Sequence, residues 1–312
     1  EVIRRIVAAR FRHRPHVLYY PPAAGPSRIP IYRDMAVLLA VRPLFRHVVF
    51  HLHSGGLTEI TPHLSAPERL LFRKAYGHPD LAISLSELNP PDGERLGAKD
   101  TQVIPNGVAD AYPRFAELAQ QRNAAPRILF VGVLRESKGI LVLLEACKLL
   151  AARGLEFEVQ IVGGFHSRDF ENLTRRFVAE AGLESFTSFP GVLTGDTKWR
   201  AYAGADLFCF PSHYESEALP IAVLEAMQFE LPVVATKWRG IPSLVIENET
   251  GNLVQMRDPL AVADRMEPLL RDPERRRALG RAGRARYLAE YTLERWHHRM
   301  EEALLSVTAT AL

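Results

Sequence analysis

Two glutamates eight positions apart, Glu217 and Glu225, lie in the stretch FPSHYESEALPIAVLEAMQ at 210–228. An apolar, strand-like run (205–210) precedes them, followed by a polar turn from Ser212 to Glu217. A helix is expected to start at Pro220, because the first helical position has no use for the N–H that proline lacks. From Ala218 to Met227 only Glu225 is not apolar, so this helix is expected to be buried and its carboxylate to need partners. Helical side chains lean toward the N-terminus, which points Glu225 back at the turn carrying Glu217. Two acids flanking a helix start, whose free N–H groups suit phosphate, could seat a sugar nucleotide: phosphate on the backbone, hydroxyls on the carboxylates. Paired glutamates at this spacing also arise by chance.

Further residues bear on the same chemistry. Gly132-Val133-Leu134-Arg135-Glu136-Ser137-Lys138-Gly139 stands between a strand and a helix, where α/β folds bind anions, and Lys138 can meet a diphosphate as a point charge. The plainer alternative is a surface lysine beside a turn glycine. His53 closes the apolar run 47–52 and precedes Ser54-Gly55-Gly56; His51, two residues earlier, shares its strand face and competes for any role given to His53. A histidine at a strand end is also an ordinary hydrogen-bonding residue.

The elements that position these residues alternate between strand and helix, the pattern of doubly wound α/β sheets. Strands are expected at 16–20, 47–52, 81–84 and 102–104, with helices over 1–12, 31–45 and 66–76. The polar stretch 115–126 is the expected linker. A second series follows, with strands at 127–132, 157–162, 186–189, 205–210 and 232–236. Its helices are expected at 139–153, 168–181, 197–203, 220–228, 259–271, 273–290 and 293–308.

At 312 residues, 47% hydrophobic and 24% charged, the chain can bury two cores. No apolar run reaches the ~20 residues of a membrane span. Cys147 and Cys209 lie in apolar runs without metal-ligand spacing and read as free, buried thiols of a cytoplasmic protein. Residues 1–122 carry 16 Lys and Arg against 11 Asp and Glu, while the remainder is slightly acidic. Arg4, Arg5, Arg10, Arg12 and Arg14 form the sharpest cluster, either a solvated helix face or a surface for an anionic acceptor or lipid headgroups. No basic–aromatic groove pattern points to nucleic acid.

The Glu217–Glu225 string resembles the Glu-x7-Glu segment of retaining glycosyltransferases of family 4 (glycosyl transferases group 1), built from two Rossmann-like domains in the GT-B arrangement. The resemblance covers roughly 47–295 and is stronger in the second half. It implies an α/β fold with an N-terminal acceptor-side domain at 1–122, on which the C-terminal helix 293–312 packs back. A donor-nucleotide domain would occupy 123–292. The first residue is Glu, and no Gly-rich loop with its leading strands precedes it, so the first domain is expected to be incomplete.

By the same resemblance, Glu217 is placed at the donor sugar and Glu225 on the ribose. His53 faces the sugar and acceptor, while Gly132, Lys138, Val192 and the Ile221 backbone contact the nucleotide. Where the family has an arginine after the first glycine, this chain has Val133, and Arg135 is the available substitute. Ser243 stands where many relatives have Glu, and Asn106-Gly107 resembles the turn closing the first domain. The implied activity is a metal-independent, hexosyltransferase-type reaction with a nucleotide sugar as substrate and no further cofactor. The acceptor would be a glycan, a lipid-linked molecule or a small molecule, with peripheral membrane contact. An inactive homologue serving as a binding or scaffold subunit, and a sugar phosphorylase of the same fold, are the alternatives.

Overall fold

A computed structural model of the chain describes residues 1–23, 28–121 and 125–309. Its ten strands form two wholly parallel sheets. The first contains β1 (Val17–Tyr20), β2 (His47–Leu52), β3 (Leu81–Ser84) and β4 (Asp100–Val103), in that order. The second contains β5 (Arg127–Val131), β6 (Glu158–Val162), β7 (Thr187–Gly191), β8 (Leu207–Phe210), β9 (Val233–Thr236) and β10 (Gly251–Val254). Its spatial order is β10-β9-β8-β5-β6-β7. Strands buried on both faces explain why these runs read as continuously apolar rather than alternating: β8, β9 and β10 are buried throughout.

By contact the chain divides into two units. Unit 1 comprises Glu1–Asn106, Glu215–Leu219 and Trp296–Leu312; unit 2 comprises Gly107–Tyr214 and Pro220–Arg295. In unit 1, the helices Arg28–Val41 and Ala66–Tyr76 cover one sheet face through Ile31, Leu38, Phe72 and Tyr76, packed on Leu18, Val48 and Phe50. On the other face, Met300, Ala303 and Val307 of the helix Leu293–Ala309 pack on Val49, Leu81, Ile83 and Ile104.

The expected domain junction at 122/123 falls on residues 122–124, outside the described residues, as do 310–312 of the expected C-terminal segment. Residues 107–121 group with unit 2 for a visible reason. Asp110 pairs with Arg284 at 2.9 Å, Ala111 N donates to Gln228 Oε1 at 2.8 Å, and Tyr287 O–H donates to the Val108 carbonyl at 2.7 Å.

Two local details differ from the sequence reading. Pro220 is the N-cap of the helix Ile221–Gln228 and not its first residue, having extended ψ. The run 251–254 is a strand, β10, although its Gly and Asn suppressed that signal; pairing with β9 decides it. Both cysteines are free and buried. Among the described residues, no helix is long and apolar enough to cross a membrane.

Candidate active site

Numbered within its own sheet, unit 2 runs 3-2-1-4-5-6, so the strand order reverses between β5 and β8. In open α/β sheets the carboxyl ends at such a reversal leave a crevice that accepts ligands. Two of the predicted stretches meet there. Gly139, in the left-handed region at φ 79°, packs so closely on the Pro211 carbonyl that any Cβ would overlap it. His213 N donates to the Ser137 carbonyl at 2.8 Å, and Thr236 Oγ1 donates to the Ser212 carbonyl. The loop after β6 joins them: Leu134 N donates to Gly164 O and His166 N to Leu134 O, each at 2.9 Å. A Cβ on Gly163 would overlap the carbonyl of Gly132.

This backbone weave collects cationic side chains around one ring. Lys138 Nζ lies 4.8 Å from the Tyr214 ring centroid and the Arg135 guanidinium carbon 5.1 Å from it. Both distances are in cation–π range. Arg135 Nη2 is also 3.1 Å from His166 Nε2. Arg135 therefore joins Lys138, while Val133 is largely exposed. Val192 is exposed beside the same loops, its Cγ2 3.2 Å from where a Cβ on Gly164 would stand. Ile221 is half exposed at the start of its helix.

Glu225 is buried, and both its oxygens are engaged: Lys198 Nζ donates to Oε1 at 2.6 Å and Tyr202 O–H to Oε2 at 2.8 Å. Burial, reinforced by the Glu225 charge, pushes the Tyr202 phenol pKa up. Ser243 is used structurally: its carbonyl accepts from Arg286 Nη2 at 2.9 Å and Tyr291 O–H at 3.1 Å.

Glu217 lies in the segment 215–219, which groups with unit 1, whereas Glu225 belongs to unit 2. Glu217 is buried, and a Cβ on Gly55 would stand 3.7 Å from its carbonyl oxygen. Asn106 Nδ2 reaches the carbonyl of Leu219, in the same segment, at 3.4 Å. Unit 1 thus brings the Glu217 backbone beside the loop that follows His53.

That loop is held by Asp92, a residue the sequence did not single out. Its buried carboxylate accepts from Gly56 N (2.8 Å) and Leu57 N (2.9 Å) on Oδ2. Thr58 N (2.8 Å) and Thr58 Oγ1 (2.5 Å) donate to Oδ1. Four donors on one carboxylate fix the turn out of β2 and hence the exit of His53 from the sheet.

His51 and His53 do share a face, with ring centroids 3.9 Å apart. His51 is fully buried, with Nδ1 2.5 Å from the Tyr19 hydroxyl. Burial, with a smaller contribution from His53, drives its pKa down to about 3, which keeps the ring neutral. His53 is exposed as a residue, yet partial desolvation lowers its pKa too.

Beyond Asp92, the sequence reading missed Tyr214, His166, Lys198, Tyr202 and Tyr19. Tyr214 alone carried a usable signal, as an aromatic inside the polar turn before Glu217. The others are recruited across 23 to 32 positions of chain, which no local pattern encodes.

The family model described as glycosyl transferases group 1 matches residues 116–286. The chain is 36% identical over 141 residues to the amylovoran biosynthesis glycosyltransferase AmsK of Erwinia amylovora, covering 44% of this chain and 34% of that protein. It spans about half the length of the first curated relatives it matches. Among solved structures, sucrose-phosphate synthase from Thermosynechococcus elongatus superposes with a TM-score of 0.79 at 22% identity, covering 99% of this chain and 78% of that one. HepE of Anabaena in complex with UDP gives 0.78 at 20% identity, covering 98% and 82%. These likenesses establish a GT-B fold of two Rossmann-like units.

Proposed function

Because this chain belongs to the glycosyl transferases group 1, we propose that it moves a sugar, with retention of configuration, from a nucleotide diphosphate to a hydroxyl acceptor in glycan or glycolipid synthesis. The observation that carries this reading is the Arg135–Lys138–Tyr214 cluster at the strand-order reversal of unit 2. Two cations held over an aromatic ring suit the diphosphate of a nucleotide sugar, and the start of the helix Ile221–Gln228, which no side chain caps, would add backbone N–H groups. Lys138, Arg135 and the Ile221 backbone would neutralise the leaving diphosphate without a divalent ion, and Gly132 would let the loop approach it. Val192 would border the base. Glu225 would keep Lys198 and Tyr202 and accept from the ribose hydroxyls on its remaining lone pairs. Glu217 would orient the donor sugar, and His53 would face the sugar and the acceptor hydroxyl as an oxocarbenium-like centre forms.

The acceptor would be a glycan or a lipid-linked molecule. The reaction would take place in the cytoplasm, and contact with a membrane surface is supported by the basic helix Val2–His13, which exposes Val2, Ile3 and Phe11 among its arginines. One observation favours a second reading, a nucleotide-binding subunit without turnover: exposed Val133 stands where the family has arginine.

Donor hydrolysis and transfer, assayed beside calorimetry with UDP and GDP, separate the two. Turnover supports the enzyme. Nucleotide binding without turnover against a broad donor panel supports the binding subunit, and absence of both refutes the donor site. His53→Ala should lower kcat by ~10²-fold with nucleotide affinity unchanged. If His51→Ala alone is inactive, the role belongs to the other histidine of the strand.

A further inference from the structure

Unit 1 contains a cavity of about 600 Å³ that serves no role in the reaction above. It lies between the helix Ala66–Tyr76, of 11 residues, and the end of the short helix Asp92–Arg95, of 4. The 3-10 segment Leu57–His63 closes one end.

The lining has two characters. Phe72, Leu96 and Pro62 supply apolar surface, and both Phe72 and Leu96 are buried members of the core beneath. Around them stand Arg69, Arg73 and Arg95 against a single acid, Glu59. Arg69 Nη1 donates to the Leu64 carbonyl at 2.6 Å, and Arg95 Nη1 lies 3.4 Å from Thr58 Oγ1. The Arg73 guanidinium has no partner among the described residues. The wall is also preorganised, since the Asp92 carboxylate that binds Thr58 opens the turn carrying Arg95.

From this lining we infer that the groove is a binding site for a small phosphate-headed amphiphile, distinct from the donor site. Three guanidiniums opposed by one carboxylate leave an excess of about two positive charges, which a phosphate monoester matches, and the guanidinium fork suits its oxygens. The volume suits a ligand of a few tens of heavy atoms, whose alkyl portion would cover the Phe72–Leu96 floor. Inorganic phosphate would meet the cations but leave the apolar floor wet.

Calorimetry on the full chain without any sugar nucleotide tests this, using monomeric dodecyl phosphate, inorganic phosphate and dodecyltrimethylammonium as probes. Dodecyl phosphate should bind at least about tenfold more tightly than either control. Arg73→Glu should weaken it about tenfold or more and Arg73→Gln by less, while Arg281→Glu, the same charge change at an exposed helical position of unit 2, should leave it unaltered. Equal binding of the cationic amphiphile, equal binding of inorganic phosphate, or unchanged affinity in both Arg73 variants overturns the inference. Donor binding is not involved, so the two proposals fail independently.

Discussion

Replacing Asp92 with asparagine keeps the shape of the side chain and removes one acceptor from the buried knot that holds the loop after β2. The carboxylate takes two donors on each oxygen. An asparagine would best turn its amide nitrogen toward Thr58, because the Thr58 hydroxyl can rotate and accept, whereas Gly56 and Leu57 offer only N–H groups. The Thr58 N–H is then buried without a partner, at a cost of about 1–3 kcal/mol. The bonds from Gly56 and Leu57 survive but lose their charge assistance, roughly 1 kcal/mol each. A neutral amide is cheaper to bury than a carboxylate, which offsets part of this. The net expectation is about 2–4 kcal/mol, or a melting point for unit 1 lowered by roughly 10 °C. Amide hydrogen exchange gives the local readout: protection at Gly56, Leu57 and Thr58 should fall by about 30-fold to 10³-fold. Unchanged protection at these three amides, with a melting point within a degree of wild type, would refute the claim that Asp92 organises the loop.

Lys138→Ala and Glu225→Ala should both weaken nucleotide-diphosphate binding by calorimetry. Glu225→Ala should also lower stability by about 3–5 kcal/mol in urea unfolding, since it strips Lys198 and Tyr202 of their partner. Glu225→Gln should be milder on both counts, and stability loss with intact nucleotide affinity would make Glu225 purely structural. Turnover should survive EDTA; loss on chelation with rescue by Mg²⁺ or Mn²⁺ would overturn the leaving-group chemistry. Because the folded pKa of His51 is depressed from 6.5 to about 3, its contribution to stability is full above pH 6.5. It is lost on acidification toward 3, by up to about 1.4 kcal/mol per pH unit. Urea unfolding of wild type against His51→Gln measures that slope, and identical pH dependence would contradict it.

What the sequence determined by itself is whatever is encoded over one turn or one strand. The alternation of apolar runs with 3.6-periodic segments, punctuated by Gly and Pro, placed nine of the ten strands among the described residues to within a few residues. β10 escaped because Gly251 and Asn252 are poor strand formers and only the neighbouring β9 makes the run a strand. The stretch carrying Glu217 and Glu225, the Lys138 loop and the His51–His53 face were legible for the same local reason. Tertiary structure decided what those residues touch. Sheet order alone brings the loops after β5, β6 and β8 together, so that Arg135 meets Tyr214 and His166. Packing alone assigns Glu225 to Lys198 and Tyr202, and Asp92 to three amides 34 to 36 positions away. A buried charge must find partners, which the sequence does say; which partners it finds depends on closing loops tens of residues long, and no local pattern carries that information.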